Sequence, residues 1–585
     1  MRWTFGAIIA CVWVLCFAPN GEAQSQGTAQ SGPRFEISFP ASAHSGQITG
    51  RLFIFIAHED KPEPRFQSGV DELTSPFFGK GVQDWQPGQA TIIDASTLGY
   101  PPASLKDIPA GDYYVQALVN VYSEFHRADG HTIWAHMDHW EGQQFNRSPG
   151  NLYSAVQKIH LDPSGYDIKL TLSKVIPPVQ MPADTEWVKH IKIQSPMLTK
   201  FWGRPIYLGA TVLLPKGYAS HTTVNYPVLY EQGHFSLGNP LGFRTSPPPA
   251  MTARMQRRSR RRTNPVLERM YQEHRMWGYQ LYQAWISDDF PRMIVVTFQH
   301  PTPYFDDSYA VNSANNGPYG DALVKEMIPY LENHFRMIRE PYGRVLSGGS
   351  TGGWESLALQ IFHPDFFGGT WSFYPDPVDF RRWQMSNIYK DENAFYPAGY
   401  KPGYDWIVPE RPEVRLPSGQ MTVTQRQASK LEAVLGSHGR SGQQVDAWFS
   451  VYGPVGSDGY LLPLYDLLTG TINHRVADYM RDHGYDLTYY LKQHWPKIGN
   501  ELRGKIHVYV GDMDTFYLNL AVYGMQEQLD SEKNPSADAS FIYGRPMKPH
   551  GWQPMSNADL LRMMAKYIEE HSPAGANSAK TWLYQ

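Results

Sequence analysis

A chain of 585 residues exceeds what one ordinary hydrophobic core supports, so two or more domains are expected. A net charge of -4 gives no general case for nucleic acid as a partner, and 18% charged with 14% aromatic residues is a globular composition, not a disordered one. The abundant Tyr and Trp suit either sugar or aryl stacking or, more simply, the filling of two cores and their interface.

The N-terminus carries Arg2, an apolar run from Phe5 to Ala18, and then Gly21-Glu22-Ala23 with small residues where a signal peptidase cuts. Residues 1–23 therefore read as an export signal, with a secreted or periplasmic mature chain starting near Gln24. The run is too short for a stable membrane span, and Leu15 before Cys16 lacks the small residue of a lipid-attachment site. Both cysteines, Cys11 and Cys16, leave with the signal, which excludes thiol nucleophiles, disulfides and cysteine metal sites from the mature protein.

Short runs alternating apolar and polar residues follow: Arg34 to Phe39, Gly50 to Ile56, Tyr113 to Val121, Ala155 to Leu161 and Tyr166 to Leu172. Turn residues separate them, so an antiparallel β-sandwich is expected over about 34–177, closed by Pro177, Pro178 and Pro182 in a linker. Within it His131, His136, Asp138, His139 and Glu141 offer nitrogen and oxygen ligands, but their spacing is not diagnostic of a metal and the flanking Gly, Asn and Pro read as a polar loop. No metal and no organic cofactor is expected.

From about Glu186 the pattern changes to longer apolar strands alternating with helices. Strand candidates are Ala210 to Leu214, Pro227 to Tyr230, Met293 to Phe298, Arg344 to Leu346, Thr370 to Phe373, Ile506 to Val510 and Phe541 to Tyr543. Asp321 to Phe335 and Glu355 to Phe362 read as helices, the first with Pro329 as a possible kink. The alternation predicts an α/β domain over 186–572 with a mostly parallel sheet, whose chemistry gathers at the carboxyl ends of the strands.

At such an end lies Gly348-Gly349-Ser350-Thr351-Gly352-Gly353, which fits the G-x-S-x-G nucleophile elbow; a plain glycine turn is the competing reading. A serine needs a base and an acid, in the chain order serine, acid, histidine for this fold. Asp514 lies a few residues beyond the strand ending at Val510, with reach toward a histidine, whereas Asp512 is placed to shape the turn. His550, in the loop after Phe541 to Tyr543 and before a last helix over Asn557 to Glu570, is the expected base. The oxyanion hole requires two backbone amides, predicted at Thr351 and at His234 or Phe235 in the turn Glu231-Gln232-Gly233-His234-Phe235.

These motifs, with Pro227 to Tyr230, Glu326 to Glu332, His363-Pro364-Asp365-Phe366-Phe367-Gly368, Gly511 to Asp514 and His550-Gly551-Trp552, resemble the putative esterase family of α/β-hydrolases, which includes esterase D, enterochelin esterases and feruloyl esterase domains. The resemblance runs over about Phe201 to Glu570 and implies serine hydrolysis of esters without metal or cofactor. An N-terminal β-sandwich looks like the enterochelin esterase arrangement. This chain departs in having Gln232-Gly233 where relatives show His-Gly, and Thr351 where an apolar residue is usual.

Two insertions, about 236–291 and 378–504, set the domain apart. The first contains Arg254, Arg257, Arg258, Arg260, Arg261 and Arg262, a solvated basic face or an anion contact; the second is placed to roof the site as a lid. The expected partner is an ester, a small molecule or saccharide-linked, with neither nucleic acid nor stable membrane insertion. A serine peptidase or acyltransferase on the same triad, and a non-catalytic binding protein using the sandwich, are the alternatives.

Overall fold

The computed structural model describes residues 32–70, 74–251, 265–574 and 576. The expected export signal and the Arg254 to Arg262 cluster lie outside them. No helix of the described residues is long and apolar enough to cross a membrane.

The N-terminal part is built from two sheets. A seven-stranded sheet centres on Ile48–Ala57 and Gly111–Val121, antiparallel to each other, and a three-stranded sheet has Pro33–Ser38 in its middle. The expectation of a purely antiparallel sandwich needs correction: Pro33–Ser38 runs parallel to Tyr166–Thr171 and antiparallel only to Thr91–Asp94. Phe35, Ile37, Leu52, Ile54, Ile56, Val115 and Val119 fill the core between the sheets.

Strand Ile48–Ala57 is also not one-sided. Side chains on a strand alternate between faces, and Phe53 and Phe55, pointing away from the sandwich core, are fully buried in a second cluster with Leu431, Val434 and Leu435. Those three belong to the second insertion. A strand covered on both faces reads as a continuous apolar run, which is what Leu52-Phe53-Ile54-Phe55-Ile56-Ala57 is.

The C-terminal part carries an eight-stranded sheet. We number its strands β1 (Val188–Gln194), β2 (Tyr207–Leu213), β3 (Val228–Gln232), β4 (Ile294–Gln299), β5 (Arg344–Gly349), β6 (Gly369–Phe373), β7 (Ile506–Gly511) and β8 (Ser540–Gly544). Their spatial order is β1-β2-β4-β3-β5-β6-β7-β8. The sheet is mixed rather than cleanly parallel: β2 is antiparallel to both β1 and β4, and from β4 onward every neighbour is parallel. Strand β1 has no counterpart among the expected strands, because an edge strand keeps one row of side chains in solvent and its Lys189, His190 and Lys192 break up the apolar signal.

The helix expected over Asp321 to Phe335 runs unbroken from Tyr319 to His334, and widens to a π turn over Leu323–Met327 just before Pro329. A proline inside a helix costs a backbone bond, and a π bulge is one of the local distortions that accompany such a site. The second insertion folds into a hairpin (Pro412–Arg415 with Met421–Thr424) and helices including Gln425–Leu435, Gln444–Tyr452, His474–Asp482 and Leu487–Leu502.

Candidate active site

Strand β5 ends at Gly349 and the helix α1 (Thr351–Phe362) begins two residues later, leaving Ser350 alone at the turn with φ +60° and ψ -123°. A non-glycine residue in that region stores roughly 1–3 kcal/mol of strain and persists only where its surroundings impose it. The flanking glycines show how they do so. A Cβ on Gly348 would lie 2.3 Å from the Gly352 carbonyl oxygen, and one on Gly352 would lie 2.1 Å from that of Gln232. The first turn of α1 is thus pressed against the end of β3, which places the elbow beside the turn Gln232-Gly233-His234.

As the first residue of α1, Thr351 presents a backbone N–H with no acceptor inside the helix. Its side chain is buried and donates to Asp376 Oδ2 at 3.1 Å. Ser350 is half-buried, and its Oγ lies 3.5 Å from Asp376 Oδ1, a long hydrogen bond.

The expected acid and base meet. His550 Nδ1 lies 2.8 Å from Asp514 Oδ2. Asp514 is fully buried, and its other oxygen accepts the Phe516 and Leu518 amides, so the carboxylate is satisfied without water. The His550 ring sits edge-on to Tyr374 (4.6 Å between centroids) and Phe516 (4.9 Å), and the Asp514 bond fixes the tautomer that leaves Nε2 free to accept a proton. Tyr374 also connects the base to the elbow: a Cβ on Gly349 would lie 2.5 Å from its hydroxyl. Asp512 Oδ1 accepts the Lys548 amide at 2.9 Å, which ties the turn after β7 to the loop that carries His550.

His234 lies next to Gly233 in the turn after β3, with its half-exposed imidazole held by two carboxylates: Nδ1 is 3.1 Å from Asp306 Oδ1 and 3.2 Å from Asp307 Oδ2. Burial acts to lower its pKa, but hydrogen bonds to Asp306 and Asp307 outweigh this and hold it well above the ordinary histidine value. These three residues bring donor atoms within 4.8 Å of one another, the one such group among the described residues that could hold a metal ion. Beneath them Glu355 on α1 is fully buried, and burial followed by repulsion from Asp307 pushes its carboxyl well above the usual range.

The sequence cluster around His136 has a different use. His136 Nε2 lies 2.6 Å from Glu141 Oε1, and Asp138 accepts the Trp140 and Gln143 amides, so the group is a hydrogen-bonded loop that closes on itself.

Asp376 escaped the sequence reading. It follows β6 in Phe373-Tyr374-Pro375-Asp376, so an acid just beyond a strand end, the criterion that singles out Asp514, applies to it equally. It is buried and accepts from Tyr309 Oη (2.6 Å), Thr351 Oγ1, Gln444 Nε2 (3.1 Å) and Trp448 Nε1 (3.3 Å). Gln444 and Trp448 belong to the second insertion, which thus reaches Asp376 and Thr351 beside the elbow.

Residues 207–399 match the model of a family described as Putative esterase, a stretch spanning β2 to beyond β6 and containing His234, Ser350 and Thr351. No curated protein sequence matches. Among solved structures the chain is similar to a ferulic acid esterase (15% identity, 65% of this chain and 99% of the other, TM-score 0.34). It is likewise similar to the fluorophosphonate-binding serine hydrolase F of Staphylococcus aureus (12%, 65% and 98%, 0.32) and to an S-formylglutathione hydrolase from Agrobacterium tumefaciens (13%, 66% and 98%, 0.31). The resemblance to the putative esterase family carried by the elbow and its neighbouring motifs is thus shown, over residues 207–399.

Proposed function

We propose that the protein is an exported serine hydrolase that cleaves carboxylic esters through an acyl-enzyme. The observation that carries this reading is the strained Ser350 at the head of α1, on the same edge of the sheet as a histidine already oriented by a buried acid. His550 Nε2 takes the Ser350 proton as Oγ attacks the ester carbonyl. The oxyanion that forms is held by the backbone amides of Thr351 and His234, which stabilise charge only as it develops. His550, now an imidazolium stabilised by Asp514, returns the proton to the leaving alcohol, and water enters by the reverse route.

Ser350 Oγ lies toward Asp376 Oδ1, so this mechanism requires that side chain to turn to His550. A fluorophosphonate probe tests the assignment directly. Stoichiometric labelling of Ser350, lost in Ser350→Ala, supports it, and labelling of any other serine overturns it. Export is part of the proposal: N-terminal sequencing of the protein from its native host should begin near Gln24, and recovery of Met1 would refute cleavage.

A further inference from the structure

Three separated segments bring carboxylates together behind the oxyanion turn. Asp306 and Asp307 lie in the loop after β4, Glu355 on α1, and the one imidazole of His234 faces the two aspartates from the turn after β3. His234 Nδ1 carries a single proton, which cannot fully serve both Asp306 Oδ1 at 3.1 Å and Asp307 Oδ2 at 3.2 Å. Glu355 is worse provided for. Its side chain has no solvent exposure, its carboxyl meets that of Asp307, and neither of its oxygens has a hydrogen-bond donor. Buried acceptors are nearly always paired, so two unpaired carboxylate oxygens beside two further carboxylates call for a cation.

The spacing suits a metal ion. Bonds of about 2.1 Å put neighbouring donor atoms about 3.0 Å apart at right angles and about 3.4 Å apart at tetrahedral angles. The two separations from His234 Nδ1 fall between these values, and all three donor atoms lie within 4.8 Å of one another. Outer contacts orient the set, as they do around bound metals. Asp307 Oδ1 accepts the Tyr309 amide at 3.0 Å, which leaves Oδ2 for the ion. His300 Nδ1 accepts the Ser308 amide at 3.0 Å, so its ring proton sits on Nε2, 3.9 Å from Glu355 Oε1: His300 faces the acid as a donor and is no ligand. A cavity of about 480 Å³, lined in part by His234 and Asp306, gives the ion a way in.

We propose that His234, Asp306 and Asp307 form a site for a divalent transition-metal ion, with the buried carboxylate of Glu355 balancing its charge from behind. One imidazole nitrogen among carboxylate oxygens suits zinc better than calcium, whose ligands are oxygens. Without the ion, protons on His234 and Glu355 offset the same surplus of negative charge. The site departs from the expectation of a metal-free protein because no local spacing connects its three segments. On the esterase reading the ion takes part in no step of the reaction; it pins the side chain of the residue whose backbone amide receives the oxyanion.

The test is calorimetric titration of the chelator-treated, dialysed protein with Zn²⁺ and with Ca²⁺. Wild type is compared with Ser350→Ala, His234→Gln and Asp306→Asn, the last two changing side chains that are partly exposed and so compatible with folding. His139→Gln, at an exposed histidine elsewhere, controls for adventitious binding. Wild type, Ser350→Ala and His139→Gln should each bind one Zn²⁺, more tightly than Ca²⁺. His234→Gln and Asp306→Asn should bind it about a hundredfold more weakly. Zn²⁺ should also raise the Tm of wild type and leave that of these two variants unmoved. Absence of saturable Zn²⁺ binding, undiminished binding in both ligand variants, an equal loss in His139→Gln, or a preference for Ca²⁺ would overturn the proposal.

The site and the esterase reading fail separately. Zn²⁺ bound by Ser350→Ala, in a protein whose wild type cleaves no ester, would sink the esterase reading and leave the site assigned. Ester cleavage by a wild type that binds no Zn²⁺ would do the opposite.

Discussion

Asp514 and His550, 36 positions apart in sequence, are joined by a 2.8 Å bond between Oδ2 and Nδ1, while the neighbouring Asp512 bonds instead to the backbone of Lys548. Replacing Asp514 by Asn should leave a folded protein with kcat lowered by about ten-thousandfold, the scale expected when a triad acid becomes an amide and the wrong histidine tautomer faces the serine. Asp512→Asn retains an oxygen that can still accept the Lys548 amide, so its loss should be far smaller. Measurement of kcat/KM for both variants on one ester decides between the two acids, and a larger loss for Asp512→Asn would mean the roles are reversed.

Asp376 is the other acid near Ser350, and its four additional donors distinguish it. Asp376→Asn keeps one acceptor oxygen for donors that now share two, so the expected signature is a fall in Tm with a loss of kcat well short of that in Asp514→Asn. If Asp376→Asn were as inactive as Asp514→Asn at unchanged Tm, Asp376 would have to be counted as a member of the catalytic set.

Gly352→Ala tests the elbow without touching a reacting group. Its Cβ would sit 2.1 Å from a backbone oxygen of β3, which cannot move aside as a side chain can. Overpacking of this kind costs about 1–3 kcal/mol or more. Thermal unfolding should show a lower Tm, and phosphonate labelling of Ser350 should slow in parallel; wild-type values for both would contradict the close packing of α1 on β3.

Glu355 sets a pH dependence. Its pKa is raised in the folded protein by burial and then by Asp307. A raised folded value stabilises fully below the unfolded carboxyl value, and the stability is lost as pH rises through the folded one. Tm should therefore fall from about pH 5 upward. Glu355→Gln, which cannot ionise, should flatten that decline, and a Tm profile parallel to wild type would remove Glu355 from the account. The groups facing Glu355 include Asp306, Asp307, His234 and His300, of which His300, pushed down to about 4 by burial, is uncharged through this window.

The legible parts of this chain were those with a local signature. The elbow is local because every steric requirement of Ser350 falls on glycines within three residues of it. Asp514 and His550 were readable because each follows a strand of strong apolar character, β7 and β8. Asp376 was not singled out, since its partners Tyr309, Gln444 and Trp448 come from distant segments that only the folded chain assembles. The edge strand β1 and the mixed pairing at that end of the sheet were missed for a related reason: strand direction depends on where a connection travels, not on its composition. The small hairpin Ser123–His126 with Thr132–Ala135 likewise lies within the N-terminal sequence, yet its Phe125, Ile133 and Ala135 pack in the core of the C-terminal part.

The two-faced strand Ile48–Ala57 bears on how this protein could have been assembled or taken apart. Arg51 donates to the carbonyls of Ala433 and Val434, Arg440 to that of Trp134, and Arg127 to that of Gly459, so charged groups on each side cap backbone on the other. Cutting the chain in the proline-rich linker near Pro177 would strip cover from Leu431, Val434 and Leu435 on one fragment and from Phe53 and Phe55 on the other. Neither fragment is a portable module. The N-terminal sheets and the second insertion complete one another across two stretches of sequence more than two hundred residues apart, and either one expressed alone would expose these apolar side chains to solvent.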